Sequence, residues 1–147
     1  MQFIVAILIS IAATSLMTLS GFLLSDFTRV RFSEPIALGQ VISRNSNPVN
    51  RNKYLGWILH YLFGVVIVLI YHYVFLSIVA PSWVIAMLLG TSGSILSVCC
   101  WKFIENKSYN FRFQVSDLYG QLFISHLIFA FSVIGIYQLG YYLFNIY

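Results

Sequence analysis

Four long apolar runs alternate with polar segments along this chain of 147 residues. The runs cover residues 3–25, 54–77, 82–104 and 118–143. Each can cross about 30 Å of hydrocarbon as a helix of roughly 20 residues. Helices are required, because lipid offers no partner to an unpaired backbone group and four segments cannot close a barrel. The pattern predicts an all-α, polytopic membrane protein whose single domain, residues 1–147, is a four-helix transmembrane bundle.

The composition agrees with a membrane location. Hydrophobic residues make up 60% of the chain and charged residues 8%, with a mean hydropathy of +0.87. A soluble domain has about 25% charged residues. The first apolar run has no basic segment before it and is longer than the core of a typical signal peptide, so we interpret it as a retained transmembrane helix.

The charged residues predict how the protein is oriented. All of them lie in or beside the segments that follow spans 1 and 3, at about 26–53 and 105–117. The basic ones are Arg29, Arg31, Arg44, Arg51, Lys53, Lys102, Lys107 and Arg112. Positively charged loops stay in the cytoplasm, so both loops are predicted to be cytoplasmic and both termini to be outside.

The first loop contains a predicted short helix. Ser33-Glu34-Pro35 is typical of a helix start, with serine as the cap and proline in the first turn. Apolar residues within the following turns then suit a helix lying at the membrane interface: Ile36, Leu38, Val41 and Ile42. We interpret the loop as an ordinary positive-inside connection in contact with lipid. The alternative is a docking site for anionic headgroups or a partner.

Spans 2 and 4 share a pattern. Read from His60 and from His126, histidine, phenylalanine, a small residue, isoleucine and tyrosine fall at matching positions, ending at Tyr71 and Tyr137. Spans 1 and 3 also match in their small and hydroxylated residues, which recur every fourth position from Ala6 in span 1. The chain is therefore predicted to contain a duplicated helix–loop–helix unit, whose two copies have the same orientation in the membrane.

The repeat places polar groups at matched depths. Histidine and tyrosine in each span lie near the same helix face, and unpartnered polar groups seldom face lipid. We therefore expect these residues to form a cluster inside the bundle: Thr14, Thr18, His60, Tyr71, Ser94, Ser97, His126 and Tyr137. The simplest interpretation is that His60 and His126 bond to Thr18, Ser97 or each other and set the register of the helices.

Two functional alternatives remain open. His60 and His126 are the minimum for axial ligation of a b-type haem, as in a haem- or quinone-linked redox subunit. A duplicated unit with a polar centre also suits a small dimeric transporter. Within the spans, no carboxylate accompanies the histidines, which disfavours a metal site and proton coupling through an acid.

Other classes of function have no support in the sequence. No serine–histidine pair has a carboxylate at its depth, so nucleophilic catalysis is not indicated and enzyme activity is not predicted. The basic loops lack the charge density of a nucleic-acid site. Cys99 and Cys100 are adjacent, do not form the C-x-x-C motif, and are interpreted as buried thiols.

The second and fourth spans, GWILHYLFGVVIVLIY and SHLIFAFSVIGIY, and the loop charges resemble those of small bacterial four-span membrane proteins of unknown function. The resemblance implies a bacterial inner-membrane location and assigns no functional residue. We predict a structural or accessory component of that membrane. It would contact lipid and act as a homodimer or with another membrane protein.

Overall fold

The computed structural model describes residues 2–28, 33–42, 51–77, 80–107 and 115–144. These residues form five helices, which are α1 (Gln2–Thr28), α2 (Glu34–Ile42), α3 (Arg51–Ser77), α4 (Trp83–Lys107) and α5 (Val115–Phe144). Four basic residues of the predicted cytoplasmic loops lie outside the described part of the chain: Arg29, Arg31, Arg44 and Arg112.

Four of the helices are long and apolar enough to span a membrane, which confirms the predicted all-α, four-helix membrane fold. Their apolar stretches are Phe3–Phe27, Tyr54–Val74, Trp83–Ile104 and Tyr119–Gly140. At the charged end of the bundle, α3, α4 and α5 extend past these stretches by three or four residues, because polar residues can continue a helix where hydrocarbon is no longer required. At the other end, α3 and α5 also extend past them.

The transmembrane helices pack in the order α3, α1, α5 and α4. The main core contains Ala6 and Ala13 of α1, Val68 of α3, and Val133 and Ile134 of α5, all nearly or fully buried. The predicted inward faces are confirmed. The faces of α3 and α5 that contain the matched histidine and tyrosine point to the interior, as does the hydroxylated face of α1. Large apolar side chains such as Leu8 and Ile58 cover the outside.

Small residues allow close contacts between the transmembrane helices. Gly64 of α3 lies against the hydroxyl groups of Thr14 and Ser10 of α1. At the contact between α4 and α5, Gly90 lies so close to Leu127 that an added Cβ would be 2.9 Å from its Cδ2 atom. Small residues let helix backbones approach closely in lipid, where dispersion contacts replace the hydrophobic effect between helices.

The short helix α2 packs against the bundle at the end where α1 and α4 finish and α3 and α5 begin, called here the α2 end. Its backbone crosses α3 at a point where each helix has a glycine. A Cβ on Gly56 would be 2.6 Å from the Gly39 nitrogen and would overlap the Pro35 carbonyl oxygen. Ala37 is buried with Trp101 of α4 in a second core cluster. α2 is therefore a packed part of the bundle.

The position of α2 corrects the predicted interfacial helix. Leu38 and Val41 were expected at the lipid interface, but they pack against the second core cluster. Ile36 and Ile42 do remain on the outside, 40% and 44% exposed. One face of α2 is thus buried in protein, since its small residues allow a closer approach to α3 than an ordinary surface helix makes.

The cysteine prediction is also wrong. Cys99 and Cys100 are both exposed on the outer surface of α4 rather than buried. Five and six residues after the inward-facing Ser94, they are rotated from it by about 140° and about 240° around the helix axis, which places both on the side away from α5.

Candidate polar site at the α2 end

A small cavity lies between α1, α2, α3 and α5, just inside the α2 end. Its volume is about 20 Å³, close to the roughly 10–15 Å³ that one water molecule requires. Polar side chains from all four helices contribute to the lining, namely Thr18, Ser33, Glu34, His60, Gln121 and Ser125. Polar groups that are distant in the sequence therefore meet around one partly open cavity.

His60 lies at the centre of this site. Its Nε2 atom is 2.9 Å from the Thr18 hydroxyl, and the same hydroxyl donates to the Thr14 carbonyl oxygen at 2.7 Å. The predicted contact between His60 and Thr18 is therefore present. The edge of the Trp57 ring also meets the imidazole, with ring centroids 6.4 Å apart. The ring is held from two sides, and the His60 side chain is only 8% exposed.

The second ring nitrogen of His60 faces a carboxylate. Nδ1 lies 3.7 Å from Oε2 of Glu34, whose side chain is 15% exposed. Glu34 is the first residue of α2, and the docking of α2 at Gly56 carries it to the depth of His60. The described spans hold no carboxylate close to the histidines, as the sequence indicates, but α2 folds back and supplies one from outside the spans.

The environment of Glu34 favours its protonated form. Burial raises the pKa of its carboxyl group above the ordinary value of 4.5, and the charge that His126 can carry opposes this shift. A buried carboxylate is costly unless a positive partner or hydrogen-bond donors compensate for it. The site therefore binds a proton more readily than an exposed glutamate does.

His126 is positioned differently from His60. Its Nδ1 donates a hydrogen bond to the Leu122 carbonyl oxygen of its own helix at 2.8 Å, and its ring lies beside Gly93 of α4. It is still close enough to act electrostatically on Glu34. The two histidines thus lie on different helices near the same carboxylate, and His60 is the one in direct contact with it.

The rest of the predicted cluster is dispersed along the bundle. Thr14 and Ser94 are buried at helix contacts, and Ser97 is half-buried on α4. The Ser94 hydroxyl donates to the Gly90 carbonyl oxygen of its own helix at 2.7 Å and lies 3.2 Å from the Phe123 carbonyl oxygen of α5. Tyr71 packs near the ring of Phe129, far from His60 along α3. These residues join helices at several depths, so they do not form one site.

At the opposite end of the bundle, Tyr137 has a partner that sequence reasoning missed. Its hydroxyl lies 2.6 Å from Nδ1 of His72, and the two rings are stacked with centroids 5.8 Å apart. His72 follows the buried Tyr71 directly. At about 3.6 residues per turn, it lies on a different face of α3 from His60. The contact joins α3 to α5, which no pattern within α3 indicates.

Other residues of the site were missed as well. Gln121 donates to the Gly21 carbonyl oxygen at 2.9 Å and joins α5 to α1. For Glu34, the signal was an acid followed by small and apolar residues, Pro-Ile-Ala-Leu-Gly, with Gly56 available for a close approach. This pattern suits a helix packed on protein better than a solvated loop.

A haem bound by His60 and His126 requires a free nitrogen on each ring and a large space between the helices. Both ring nitrogens of His60 are engaged, by Thr18 and by Glu34, and the cavity is small beside the roughly 300–1,000 Å³ of pockets that enclose small molecules. Haem ligation by His60 and His126 stays a prediction that would require these contacts to break. Within the described residues, no three histidine, cysteine, aspartate or glutamate side chains are grouped as a metal site.

Comparison with known proteins assigns no family. No family model, curated protein or solved structure matches this chain.

Proposed function

We propose that this membrane protein is a structural or accessory component that acts with a partner protein or as an oligomer. Its location would be a bacterial inner membrane, with both termini outside and the basic loops in the cytoplasm. The observation that supports this role is that the polar side chains inside the bundle make contacts between helices. Described polar side chains join one helix to another, and the cavity between them is about the size of one water molecule.

The outer surface of α4 is the surface we propose for association. Only 17% of its apolar stretch is buried, against 39% for α5. α4 packs along its length on α5, with α2 adding contacts near Trp101. Cys99 and Cys100 lie exposed on this helix, so a chain seated against α4 would come close to a thiol.

The experiment uses these thiols. Oxidation of membranes that contain the protein is expected to give a disulfide-linked species, because thiols must come within bonding distance to react. The matched control is the double variant Cys99→Ser and Cys100→Ser, which must not cross-link. A protein that stays monomeric both under oxidation and in step-photobleaching in vesicles contradicts association as an oligomer. If it also copurifies with no stoichiometric partner from its native membrane, the accessory role fails.

A small transporter is the second candidate, favoured by Glu34. Its carboxyl group lies beside His60, so an acid is available for proton coupling although it comes from outside the spans. Vesicles with a pH-sensitive dye inside would report proton movement. Flux that is lost in Glu34→Gln supports the transporter, and equal leakage with and without the protein supports the accessory role.

A further inference from the structure

The hydrogen bonds of Thr18 decide which nitrogen of His60 carries a hydrogen. The Thr14 carbonyl oxygen can only accept, so the Thr18 hydroxyl must donate to it over the 2.7 Å that separates them. A hydroxyl has a single hydrogen. Toward Nε2 of His60, at 2.9 Å, it can therefore only accept. Nε2 is the donor in this contact and carries a hydrogen.

This assignment leaves Nδ1 of His60 facing Oε2 of Glu34 at 3.7 Å. If the ring were neutral and the carboxyl ionised, a nitrogen lone pair would face a carboxylate oxygen in a largely buried place. Both groups would then lack a donor, and a buried carboxylate without compensation is strongly unfavourable. One proton between these groups removes the conflict. It can form an imidazolium paired with the carboxylate at the observed distance, or a carboxylic acid that donates to Nδ1 once the two atoms approach to about 3 Å.

We propose that Glu34 and His60 form a binding site for a single shared proton, and that this proton holds α2 against the bundle. Glu34 belongs to the first turn of α2, so the contact with His60 joins this helix directly to α3. Loss of the proton leaves a buried negative charge against a lone pair, and the release of α2 lets that charge reach water. The proposal is independent of the accessory role.

The other groups around the pair are compatible with a single proton. From α5, His126 contributes a titratable ring, and Gln121 and Ser125 contribute neutral polar groups. From α3, the Tyr61 ring meets the imidazole edge-on with centroids 6.0 Å apart. Among the described residues, α4 contributes nothing to the cavity lining. The cavity has room for about one water molecule, through which the proton can exchange.

The test is nuclear magnetic resonance on the full chain in lipid vesicles. Ring ¹⁵N labels on histidine report which nitrogens carry hydrogen, and side-chain ¹³C labels on glutamate report carboxyl ionisation. The chain has two glutamates, Glu34 and Glu105, and three histidines. The variants Glu34→Gln and His60→Asn assign the signals. Glu105→Gln assigns the glutamates by elimination if Glu34→Gln does not fold.

The expected result at neutral pH is one proton shared by the pair. Either His60 carries hydrogen on both nitrogens beside an ionised Glu34, or Nε2 alone is protonated beside a protonated Glu34. As the pH is raised, the signals of both residues change in one step. An ionised Glu34 beside a neutral His60 in either tautomer overturns the proposal. Protonation of both groups, which adds up to two protons, overturns it as well.

A second measurement follows α2 itself. Amide hydrogen exchange at Ala37, corrected for the intrinsic rate, is expected to quicken at high pH in the wild-type protein. In Glu34→Gln the rate is expected to stay constant, because the amide of glutamine donates to Nδ1 at every pH and replaces the protonated acid. The same acceleration in both proteins would contradict the link between the proton and α2.

Discussion

At the scale of single residues, the Thr18 hydroxyl is the group that orients His60. Replacing Thr18 by valine removes the acceptor for the Nε2 hydrogen while keeping the shape of the side chain. We expect a loss of about 1–3 kcal/mol in the free energy of unfolding, because a buried donor is left unsatisfied. Thermal unfolding in detergent measures this, and Thr18→Ser, which keeps the hydroxyl, should recover most of it.

The control for this prediction is a hydroxyl on the same helix that is exposed. Ser15 contacts the Tyr61 hydroxyl at 3.0 Å on the outer surface of α1. Ser15→Ala should change stability by less than about 0.5 kcal/mol, as surface substitutions usually do. Equal losses in both variants would show that the contact with His60 has no special weight.

Glu34 predicts a pH dependence whose sign follows from the direction of its pKa shift. Burial raises the pKa of Glu34 in the folded state above 4.5, so between 4.5 and the raised value the folded chain holds a proton that the unfolded chain has lost. The stabilisation is complete below 4.5 and is lost as the pH rises through the folded pKa. Unfolding measured against pH should therefore show a decline above 4.5 that Glu34→Gln reduces. Asp26→Asn, which removes an exposed carboxyl, should leave the decline in place.

At the scale of helices, the position of α2 depends on the glycine at its crossing with α3. A side chain at Gly56 would overlap the Pro35 carbonyl oxygen and lie 2.9 Å from the Gly39 Cα atom. These are backbone atoms that cannot rotate away. Gly56→Ala should therefore push α2 off the bundle and cost about 1–3 kcal/mol, as overpacking does.

The matched control is another helical glycine. A Cβ on Gly120 of α5 meets nothing within 4 Å, so Gly120→Ala should stabilise the protein by about 0.5–1 kcal/mol through helix propensity alone. Thermal unfolding separates the two variants. Similar effects of both alanines would mean that Gly56 is not a close contact.

At the scale of the whole molecule, the orientation in the membrane can be tested. With Cys99 and Cys100 replaced by serine, a cysteine is placed at Ala80 or at Lys102, both exposed and near opposite ends of α4. The positive-inside rule predicts that a membrane-impermeant thiol reagent labels only Ala80→Cys in intact cells. Labelling of Lys102→Cys alone would reverse the predicted orientation, and lysed cells provide the control for reactivity.

The duplicated unit stays a prediction at this scale. A glycine makes a close helix contact in each half, Gly64 against Thr14 and Ser10 and Gly90 against Leu127 and Ala130. Ser10 matches Gly90 and Gly64 matches Ala130 in the proposed repeat, but the nearest partners, Thr14 and Leu127, do not occupy matching positions. The two halves differ at α2, which has no described counterpart after α4.

The four transmembrane helices and their inward faces follow from the local pattern of residues. Length and hydropathy set the spans, and the helical repeat places His60, Gly64, Val68 and Tyr71 on one face, all of which are buried. These properties depend on neighbours one or two turns away, so a single chain segment contains all the information.

The contacts of the polar residues, in contrast, depend on how the helices pack against one another. Glu34 reaches His60 because Gly39 of α2 meets Gly56 of α3, and His72 reaches Tyr137 because their side chains extend toward each other from α3 and α5. Each contact joins residues that are far apart in the chain. Their meeting depends on the backbone approach between two helices, which the pattern of one helix does not contain.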